Sequence, residues 1–162
     1  MRTQTHLSAL IVLPASRFVV KIPAGYPLEA AGPVLCAGIT MFTPLIKHSA
    51  DKGGLRVGIV GIGGLGQMGV MLAKAMGNTV TAISTSPNKE AAAREIGADN
   101  FLVSTESEKM KEAAGSLDLI LNTISGNHDI SSYLSLLVTL LSPLTCLTTI
   151  SRCRTLWESV FS

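Results

Sequence analysis

The stretch RVGIVGIGGLGQMGVMLAKAMG, residues 56–77, decides the fold of this chain. The apolar run Arg56 to Val60 is short and bounded by glycines, which predicts a strand buried on both faces of a parallel sheet. The glycine-rich segment Gly61–Gly66 follows at once. The spacing of apolar residues from Gly64 to Met76 then predicts a helix. A glycine-rich turn between a buried strand and a helix is typical of a dinucleotide-binding βαβ unit.

Each glycine of the turn has a distinct expected role. Gly61-Ile62-Gly63-Gly64-Leu65-Gly66 fits the pattern G-x-G-x-x-G. In that pattern the first glycine (Gly61) permits the tight turn, the second (Gly63) lets the backbone approach a pyrophosphate, and the third (Gly66) lets helix and strand pack closely. We expect a pyrophosphate to bind the free N–H groups of Gly63, Gly64, Leu65 and Gly66 at the helix N-terminus. The alternative is a glycine-rich turn that binds no ligand.

The end of the second predicted strand bears on the choice of dinucleotide. An NAD(H) site places Asp or Glu there to bind the ribose 2′-hydroxyl, but this chain has Ser84, Thr85 and Ser86 and no acid before Glu90. Three hydroxyls and the charge of Lys89 suit a 2′-phosphate, so the sequence predicts NADP(H). The alternative is that Ser86 only caps the next helix and Lys89 is solvated, although both roles can coexist.

Strands and helices alternate along the rest of residues 53–122. This alternation predicts an α/β fold with a Rossmann-type, doubly wound parallel sheet and right-handed crossovers. The predicted sheet is incomplete, because four strands are clear where six are usual. In the helix predicted from Gly64 to Met76, one face is expected to carry Met68, Met71, Leu72 and Ala75. The other predicted strands are Thr79–Ile83, Asn100–Val103 and Leu117–Asn122, and the other helices are Ser86–Gly97 and Thr105–Ala114.

The flanking segments are less regular. Residues 9–22 predict one or two strands, and Pro27 opens a helical stretch towards Ile46. A turn at Asp51–Gly54 then leads into the regular pattern. Beyond Gly126, a helix at Ile130–Leu141 and a fifth strand at Thr145–Ile150 are the expected elements.

Composition narrows the class of protein. The 162 residues suit one domain, and 47% hydrophobic against 15% charged residues suits a buried sheet rather than a disordered chain. A net charge of +2 without a basic stripe gives no support to nucleic-acid binding. The cysteines Cys36, Cys146 and Cys153 form no C-x-x-C pair, which argues against a disulfide scaffold and a self-contained structural zinc site. We therefore expect a reducing, cytoplasmic location.

Two apolar segments imitate targeting or membrane signals. Leu7–Ala15 is similar to the core of a signal peptide, but Arg17 and the alternating residues 18–22 favour a strand. Ile130–Ser151 has no formal charge and is long enough to span a bilayer, but it is rich in Ser and Thr and interrupted by Pro143. Neither a leader nor a membrane span is expected.

Several motifs in order resemble those of zinc-dependent medium-chain alcohol dehydrogenases. They are Leu35–Thr40, Val57–Gly66, Ile83–Ser86 and Gly97–Asp99. The branch that they resemble most is the NADP-dependent cinnamyl alcohol dehydrogenases, and the resemblance runs from about Ile11 to about Leu137. It implies a GroES-like catalytic domain followed by a Rossmann domain.

The resemblance implies a division of the chain into four segments. Residues 1–26 would be remnant strands of the catalytic domain, 27–52 a connecting helix and 53–137 the NADP-binding Rossmann core. The tail, residues 138–162, departs from the family pattern, and a shifted reading frame is one hypothesis for that departure. Members of the family commonly form dimers, so a homodimer is a further expectation.

The same resemblance assigns residue roles. Cys36 corresponds to the last of three catalytic zinc ligands, and Thr40 corresponds to a residue beside the nicotinamide. Thr123 and Ser125 would line the nicotinamide side of the cleft. Taken without the resemblance, Cys36 has the properties of a small buried hydrophobic residue. The family's other zinc ligands, a Cys and a Gly-His-Glu motif, belong to the upstream domain, so we expect an incomplete zinc site in this chain alone.

Three functional hypotheses follow. The first is an NADP(H)-dependent oxidoreductase of the zinc alcohol dehydrogenase type, present as a fragment, which interconverts small alcohols and aldehydes by hydride transfer. The second is a remnant or pseudoenzyme that binds NADP(H) without catalysis. The third is a non-functional product that does not fold stably.

Overall fold

The computed structural model describes residues 21–126 and 128–138 and the strand Cys146–Thr149. The strands predicted over residues 9–22 therefore lie almost entirely outside the described residues, as does most of the tail. The four-segment division of the chain stays a prediction.

A five-stranded parallel sheet forms the centre of the molecule. Its strand order is β3-β2-β1-β4-β5, so the chain moves outward from β1 on one side and then returns to the other side of β1. This arrangement confirms the predicted α/β doubly wound fold and makes β1 the point at which the strand order reverses. The fifth strand, expected near Thr145–Ile150, is also present. The strands are β1 (Arg56–Val60), β2 (Thr79–Ser84), β3 (Asn100–Val103), β4 (Leu119–Asn122) and β5 (Cys146–Thr149).

Strand register brings the carboxyl ends of the central strands to one level. Val60 at the end of β1 pairs with Ile83 of β2 on one side and with Asn122 of β4 on the other. Residues that follow these strands therefore meet at a single edge of the sheet, where open α/β folds bind their ligands.

Helices cover both faces of the sheet. The first helix, α1, spans Leu28–Lys47 and contains a π-helical turn at Val34–Gly38. A 3₁₀ turn at Ala50–Lys52 follows α1, and another at Pro87–Lys89 leads into α3. The remaining helices are α2 (Gly64–Ala75), α3 (Glu90–Glu95), α4 (Ser107–Glu112) and α5 (Ser131–Leu134).

Alternating strand residues supply two separate cores. Val57 and Ile59 of β1 face the layer formed by α1, α2 and α3, whereas Val60 faces the layer of α4 and α5. In β4, Leu119 and Leu121 belong to the first core and Ile120 belongs to the second. Near-continuous burial of the strands on both faces explains why they read as apolar runs in the sequence.

The buried face of α2 carries mainly small residues. Gly66, Gly69, Val70 and Ala73 are buried, while Met71, one of the residues predicted to share a face, is 43% exposed. A Cβ atom at Gly69 would require the terminal methyl group of Met41 in α1 to shift. Close packing of three layers therefore selects the small residues for the interior, and the larger apolar residues are displaced to the flanks and surface.

The helix predicted at Ile130–Leu141 is wrong in extent. Helix α5 ends at Leu134, and the chain then runs beside the segment that precedes β4, where Leu137 pairs with Leu117. The Leu117 amide donates to the Leu136 carbonyl oxygen, and the Val138 amide donates to the Leu117 carbonyl oxygen. A longer helix would forfeit these bonds and withdraw Leu136, which is fully buried.

Helix α1 is the one described helix that is long and apolar enough to cross a membrane, with a mean hydropathy of 1.4. Within this fold its inner face belongs to the protein core, because Met41 and Leu45 are fully buried. Core helices of soluble proteins also meet the length and hydropathy criteria, so this feature alone gives weak support to a membrane role.

Candidate nucleotide-binding site

A cleft of about 440 Å³ opens at the carboxyl edge of the sheet. It lies where β1 ends in the glycine turn, between the ends of β2 and β4, and thus at the reversal point of the strand order. Its lining includes the predicted residues Gly61, Gly63, Gly64, Leu65, Gly66, Ser84, Thr85, Lys89 and Thr123. Residues assigned from three separate parts of the sequence are therefore brought together at one surface.

The glycine turn adopts a conformation that depends on two of its glycines. Gly61 has a φ of +90°, in the left-handed region that other residues rarely adopt, and its amide donates to the Ile83 carbonyl oxygen at 2.9 Å. Gly66 packs against Gly61 so closely that a Cβ atom would collide with the Gly61 carbonyl oxygen. Gly63 and Gly64 instead have open space where a side chain would project. The turn therefore leaves room above it for another molecule.

The N-terminus of α2 presents backbone donors at this turn. The first intrahelical bond runs from the Gln67 amide to the Gly63 carbonyl oxygen, at 2.8 Å. The amides of Gly64, Leu65 and Gly66 precede it and therefore have no acceptor within the helix. The first turn of α2 also lacks an acidic side chain that would neutralise the positive end of the helix dipole. This arrangement suits an anionic group.

The end of β2 supplies hydroxyl groups and a cation on one side of the cleft. Ser84 is 6% exposed, and its Oγ accepts a hydrogen bond from the Ser86 amide at 3.2 Å. Thr85 is exposed and lines the cleft. Lys89 reaches back across the cleft, and its Nζ donates to the Ile62 carbonyl oxygen at 3.1 Å. The two sides of the cleft are therefore joined by a cationic side chain.

Ser86 occupies a different position from Ser84 and Thr85. It precedes the 3₁₀ turn Pro87–Lys89 as its N-cap residue, yet its side chain makes no capping hydrogen bond. It does not contribute to the described lining of the cleft. The structure thus shows neither the predicted phosphate-facing position nor the alternative capping bond for its hydroxyl.

The charge of the cleft favours an anion. Among the described lining residues there is no Asp or Glu, and Lys89 contributes a formal positive charge. Hydroxyl groups from Ser84, Thr85 and Ser104 lie on the same side. A phosphate entering here would meet donors and one cation without repulsion from a carboxylate.

Thr123 lies at the floor of the cleft, directly after β4. Its hydroxyl is within 2.8 Å of both the Val60 and the Gly61 carbonyl oxygens, to which it donates. Ser125, predicted with it, is exposed and lies outside the described lining. The two residues predicted for the nicotinamide side therefore have different environments.

Sequence reasoning did not assign seven residues of the described lining to the site, namely Val60, Ile62, Ile83, Ser104, Ile124, His128 and Tyr133. The Nε2 atom of His128 lies 2.7 Å from the side-chain nitrogen of the buried Asn122, and its Nδ1 lies 2.7 Å from the Gly126 carbonyl oxygen. The carbonyl oxygen can only accept and the amide nitrogen can only donate, so Nδ1 is placed to donate and Nε2 to accept. Ser104 and His128 both follow the ends of strands, a signal that could have identified them.

Cys36 and Thr40 lie on α1, outside the described lining of the cleft. Cys36 is an exposed free thiol in the π-helical turn, whereas Thr40 is 8% exposed and its hydroxyl donates to the Cys36 carbonyl oxygen at 2.8 Å. The one-turn spacing thus joins the pair through the backbone, and the description of Cys36 as buried is wrong. No group of three His, Cys, Asp or Glu residues that could hold a metal occurs in the described parts of the chain. These residues alone therefore do not fit a catalytic zinc site, which needs three protein ligands.

The fold and the cleft together define a Rossmann-type α/β domain with the features of a dinucleotide-binding site. Comparison with known proteins finds similar sequences and structures. The family profile described as zinc-binding dehydrogenase matches residues 64–139. Cinnamyl alcohol dehydrogenase 1 of Capsicum annuum is 52% identical over 136 residues, which are 83% of this chain and 38% of that protein.

Solved structures agree with the sequence relatives. A cinnamyl alcohol dehydrogenase of Sorghum bicolor superposes with a TM-score of 0.75 at 36% identity, covering 91% of this chain and 49% of that one. The enzyme of Helicobacter pylori, solved in complex with NADP(H), gives a TM-score of 0.63 at 34% identity, covering 75% of this chain and 33% of that one. These similarities confirm the resemblance to the zinc-dependent medium-chain alcohol dehydrogenases, and to their cinnamyl alcohol dehydrogenase branch, that the motifs indicated. It spans little more than a third of the length of the Capsicum relative.

Proposed function

We propose that this chain is the NADP(H)-binding part of an oxidoreductase that interconverts small alcohols and aldehydes. The observation that carries the proposal is the composition of the cleft at the end of β2. Ser84, Thr85 and Lys89 line it on the side facing the glycine turn, and no described carboxylate lies there. This set of groups suits a 2′-phosphate and disfavours the ribose hydroxyl contact of an NAD(H) site.

The residues of the cleft fit the two charged parts of NADP(H). The amides of Gly64, Leu65 and Gly66 would hold the pyrophosphate, because they lie at the start of α2 without intrahelical acceptors. Thr85 and Lys89 would hold the 2′-phosphate, with Ser84 fixing the backbone of the loop. The open space at Gly63 and Gly64 supports close approach of a ligand to the backbone.

When bound, the nicotinamide of NADP(H) supplies or accepts the hydride that the reaction requires. The part of this chain that the structure describes contributes the binding and orientation of that cofactor. Cys36 and Thr40 retain the roles implied by the family only as proposals, since the described residues do not complete a zinc site. Small alcohols and aldehydes are proposed as substrates because the Capsicum relative is named for cinnamyl alcohol.

A cytoplasmic location and a homodimer are further parts of this proposal. The first is supported by the free thiol of Cys36 and the absence of a C-x-x-C pair, which suit a reducing compartment. The second rests on the family resemblance, and sedimentation of the purified chain would test it.

The decisive experiment is a calorimetric titration of the purified chain with NADPH and, separately, with NADH. NADPH is expected to bind at least about tenfold more tightly, because a hydrogen bond to a charged group contributes about 1.5–3 kcal/mol. Ser84→Asp introduces the acid of an NAD(H) site, so this variant should reverse or abolish the preference. Equal affinity of the unchanged chain for both cofactors would contradict the NADP(H) assignment.

Binding without turnover would favour the second hypothesis, a nucleotide-binding remnant. Alcohol oxidation by the chain alone, measured from the absorbance of NADPH, would favour the first. Failure to bind either nucleotide, despite cooperative thermal unfolding, would contradict both.

A further inference from the structure

The hydroxyl group of Thr123 joins β4 to the first residues of the glycine turn. Its Oγ1 atom donates to the carbonyl oxygens of Val60 and Gly61, both at 2.8 Å, and the Thr123 amide donates to the Val60 oxygen at 2.9 Å. A hydroxyl carries a single proton, so the two oxygens share one three-centre bond. Residues more than 60 positions apart in the sequence are thus fixed to one another.

This contact determines where the Gly61 carbonyl points. The oxygen lies between the Thr123 hydroxyl and the backbone of Gly66, where a Cβ atom would collide with it. It is therefore directed into the protein, towards β4 and α2. The amide on the other side of Gly61 is bonded to the Ile83 carbonyl oxygen. Both sides of the residue are held by neighbouring strands.

The orientation matters because a peptide unit presents opposite charge on its two sides. A glycine at a φ of +90° has no side chain to resist rotation of the following peptide. If that peptide turned, the Gly61 oxygen would leave the interior and place negative partial charge near the cleft. A pyrophosphate would then be repelled, whereas in the observed orientation it meets the amides at the start of α2.

We propose that Thr123 is a positioning residue for the pyrophosphate of the dinucleotide, acting through the Gly61 peptide rather than through contact with the nicotinamide. The proposal rests on the proposed function, because it assumes that the cleft binds NADP(H). It assigns to Thr123 a task that the family resemblance did not suggest. Its hydroxyl proton is already shared between two carbonyl oxygens and is not free for a ligand.

Two pairs of variants isolate the hydroxyl. The first pair compares Thr123→Val with the unchanged chain, because valine lacks the hydroxyl at nearly the same side-chain volume. Thr123→Ala and Thr123→Ser form a second pair that differs by the hydroxyl alone and serves if the valine variant does not fold. Thermal unfolding followed by circular dichroism checks the fold of each protein.

Ligands that contain different parts of NADPH test binding at the two ends of the cleft separately. NADPH contains the nicotinamide, the pyrophosphate and the 2′-phosphate, 2′-phospho-ADP-ribose lacks the nicotinamide, and adenosine 2′-monophosphate contains only the 2′-phosphate. A loss of affinity shared by NADPH and 2′-phospho-ADP-ribose therefore excludes contact with the nicotinamide as its cause. Loss of the hydroxyl should weaken NADPH about tenfold, the effect of one lost hydrogen bond with an unsatisfied carbonyl, and leave adenosine 2′-monophosphate unchanged. Thr123→Ser should restore NADPH binding relative to Thr123→Ala.

Unchanged NADPH affinity without the hydroxyl would overturn the proposal. So would an equal loss for NADPH and adenosine 2′-monophosphate, which indicates a general structural defect, and so would a loss for NADPH that 2′-phospho-ADP-ribose does not share. Failure of the proposed function has a different signature, because the unchanged chain would then bind none of these ligands. That result would overturn both proposals together, whereas the other results leave NADP(H) binding by the unchanged chain intact.

Discussion

Lys89 reaches across the cleft to the carbonyl oxygen of Ile62, with 3.1 Å between Nζ and that oxygen. The two residues belong to different loops, one following β2 and the other lying within the glycine turn. The bond places the positive charge of Lys89 beside the glycine turn, within the lining of the cleft. It also indicates that this exposed lysine has a defined position in the structure and is not merely solvated.

Replacement of Lys89 by Glu should weaken NADPH more than NADH. The change removes a cation and adds a carboxylate beside the proposed 2′-phosphate, whereas NADH carries a hydroxyl there. We expect a loss of about ten- to hundredfold for NADPH, since a hydrogen bond to a charged group contributes about 1.5–3 kcal/mol. Calorimetric titration with both cofactors measures the effect. Lys52→Glu makes the same charge change outside the cleft and should alter neither affinity. Equal weakening of NADPH and NADH by Lys89→Glu would contradict the assignment.

Replacement of Gly66 by Ala should destabilise the domain. The new methyl group would collide with the Gly61 carbonyl oxygen, a backbone atom that cannot move without distorting the turn. Overpacking of this kind costs about 1–3 kcal/mol, measured as a decrease in the free energy of unfolding in urea.

Gly64→Ala is the matched control for that variant, because it adds the same methyl group to the same helix. A Cβ atom at Gly64 has no neighbour within 4 Å, and alanine favours helix over glycine. Its free energy of unfolding should be unchanged or slightly raised. If Gly64→Ala were as destabilising as Gly66→Ala, close packing at Gly66 would not be the cause.

Stability should decrease in acid partly through Asp99. Its hydrogen bond from Lys74, and then that from the Val80 amide, hold the pKa of this carboxyl below its usual range. A carboxyl with a lowered folded-state pKa contributes stability above its unfolded pKa of about 3.9 and loses it as pH falls through the folded value. Urea unfolding between about pH 6 and pH 3 measures this loss.

The substitution Asp99→Asn should make the stability of the chain less dependent on pH over that range, while lowering it near neutrality. Asp51→Asn, at an exposed carboxylate in the turn Ala50–Lys52, provides the comparison. An unaltered pH dependence in Asp99→Asn would show that other groups cause the acid loss.

The sequence predicted the βαβ unit because the residues that determine it are close together along the chain. The positive φ of Gly61 and the contact of Gly66 with it follow from the order of residues in one turn. The buried face of α2 did not follow, because it depends on how closely Met41 of a different helix approaches. Spacing identifies which residues share a face, but only the packing of the neighbouring layer selects the face that is buried.

The candidate site likewise contains residues that local sequence rules predicted and contacts that they did not predict. Ser84 and Lys89 were predicted from their distance to the glycine turn along the chain, and both lie in the cleft. The bond from Thr123 to Gly61 depends on the register between β1 and β4, which no local pattern encodes. His128 also lies in the cleft, but it follows the end of β4 by six residues, and the sequence alone did not assign it a role there.

Zinc content provides a final test, which concerns Cys36. The described residues contain no cluster of three potential ligands, and Cys36 is exposed on α1, outside the cleft lining. Because a catalytic zinc needs three protein ligands, we expect the 162-residue chain to retain less than one zinc ion per molecule after dialysis against a chelator. Inductively coupled plasma mass spectrometry measures this content, with a full-length zinc dehydrogenase treated in parallel as the positive control. Cys36→Ser should leave NADPH affinity unchanged, because the phosphate contacts lie on other elements. One zinc ion retained by the chain and lost in Cys36→Ser would show instead that residues beyond those described complete a metal site around this thiol.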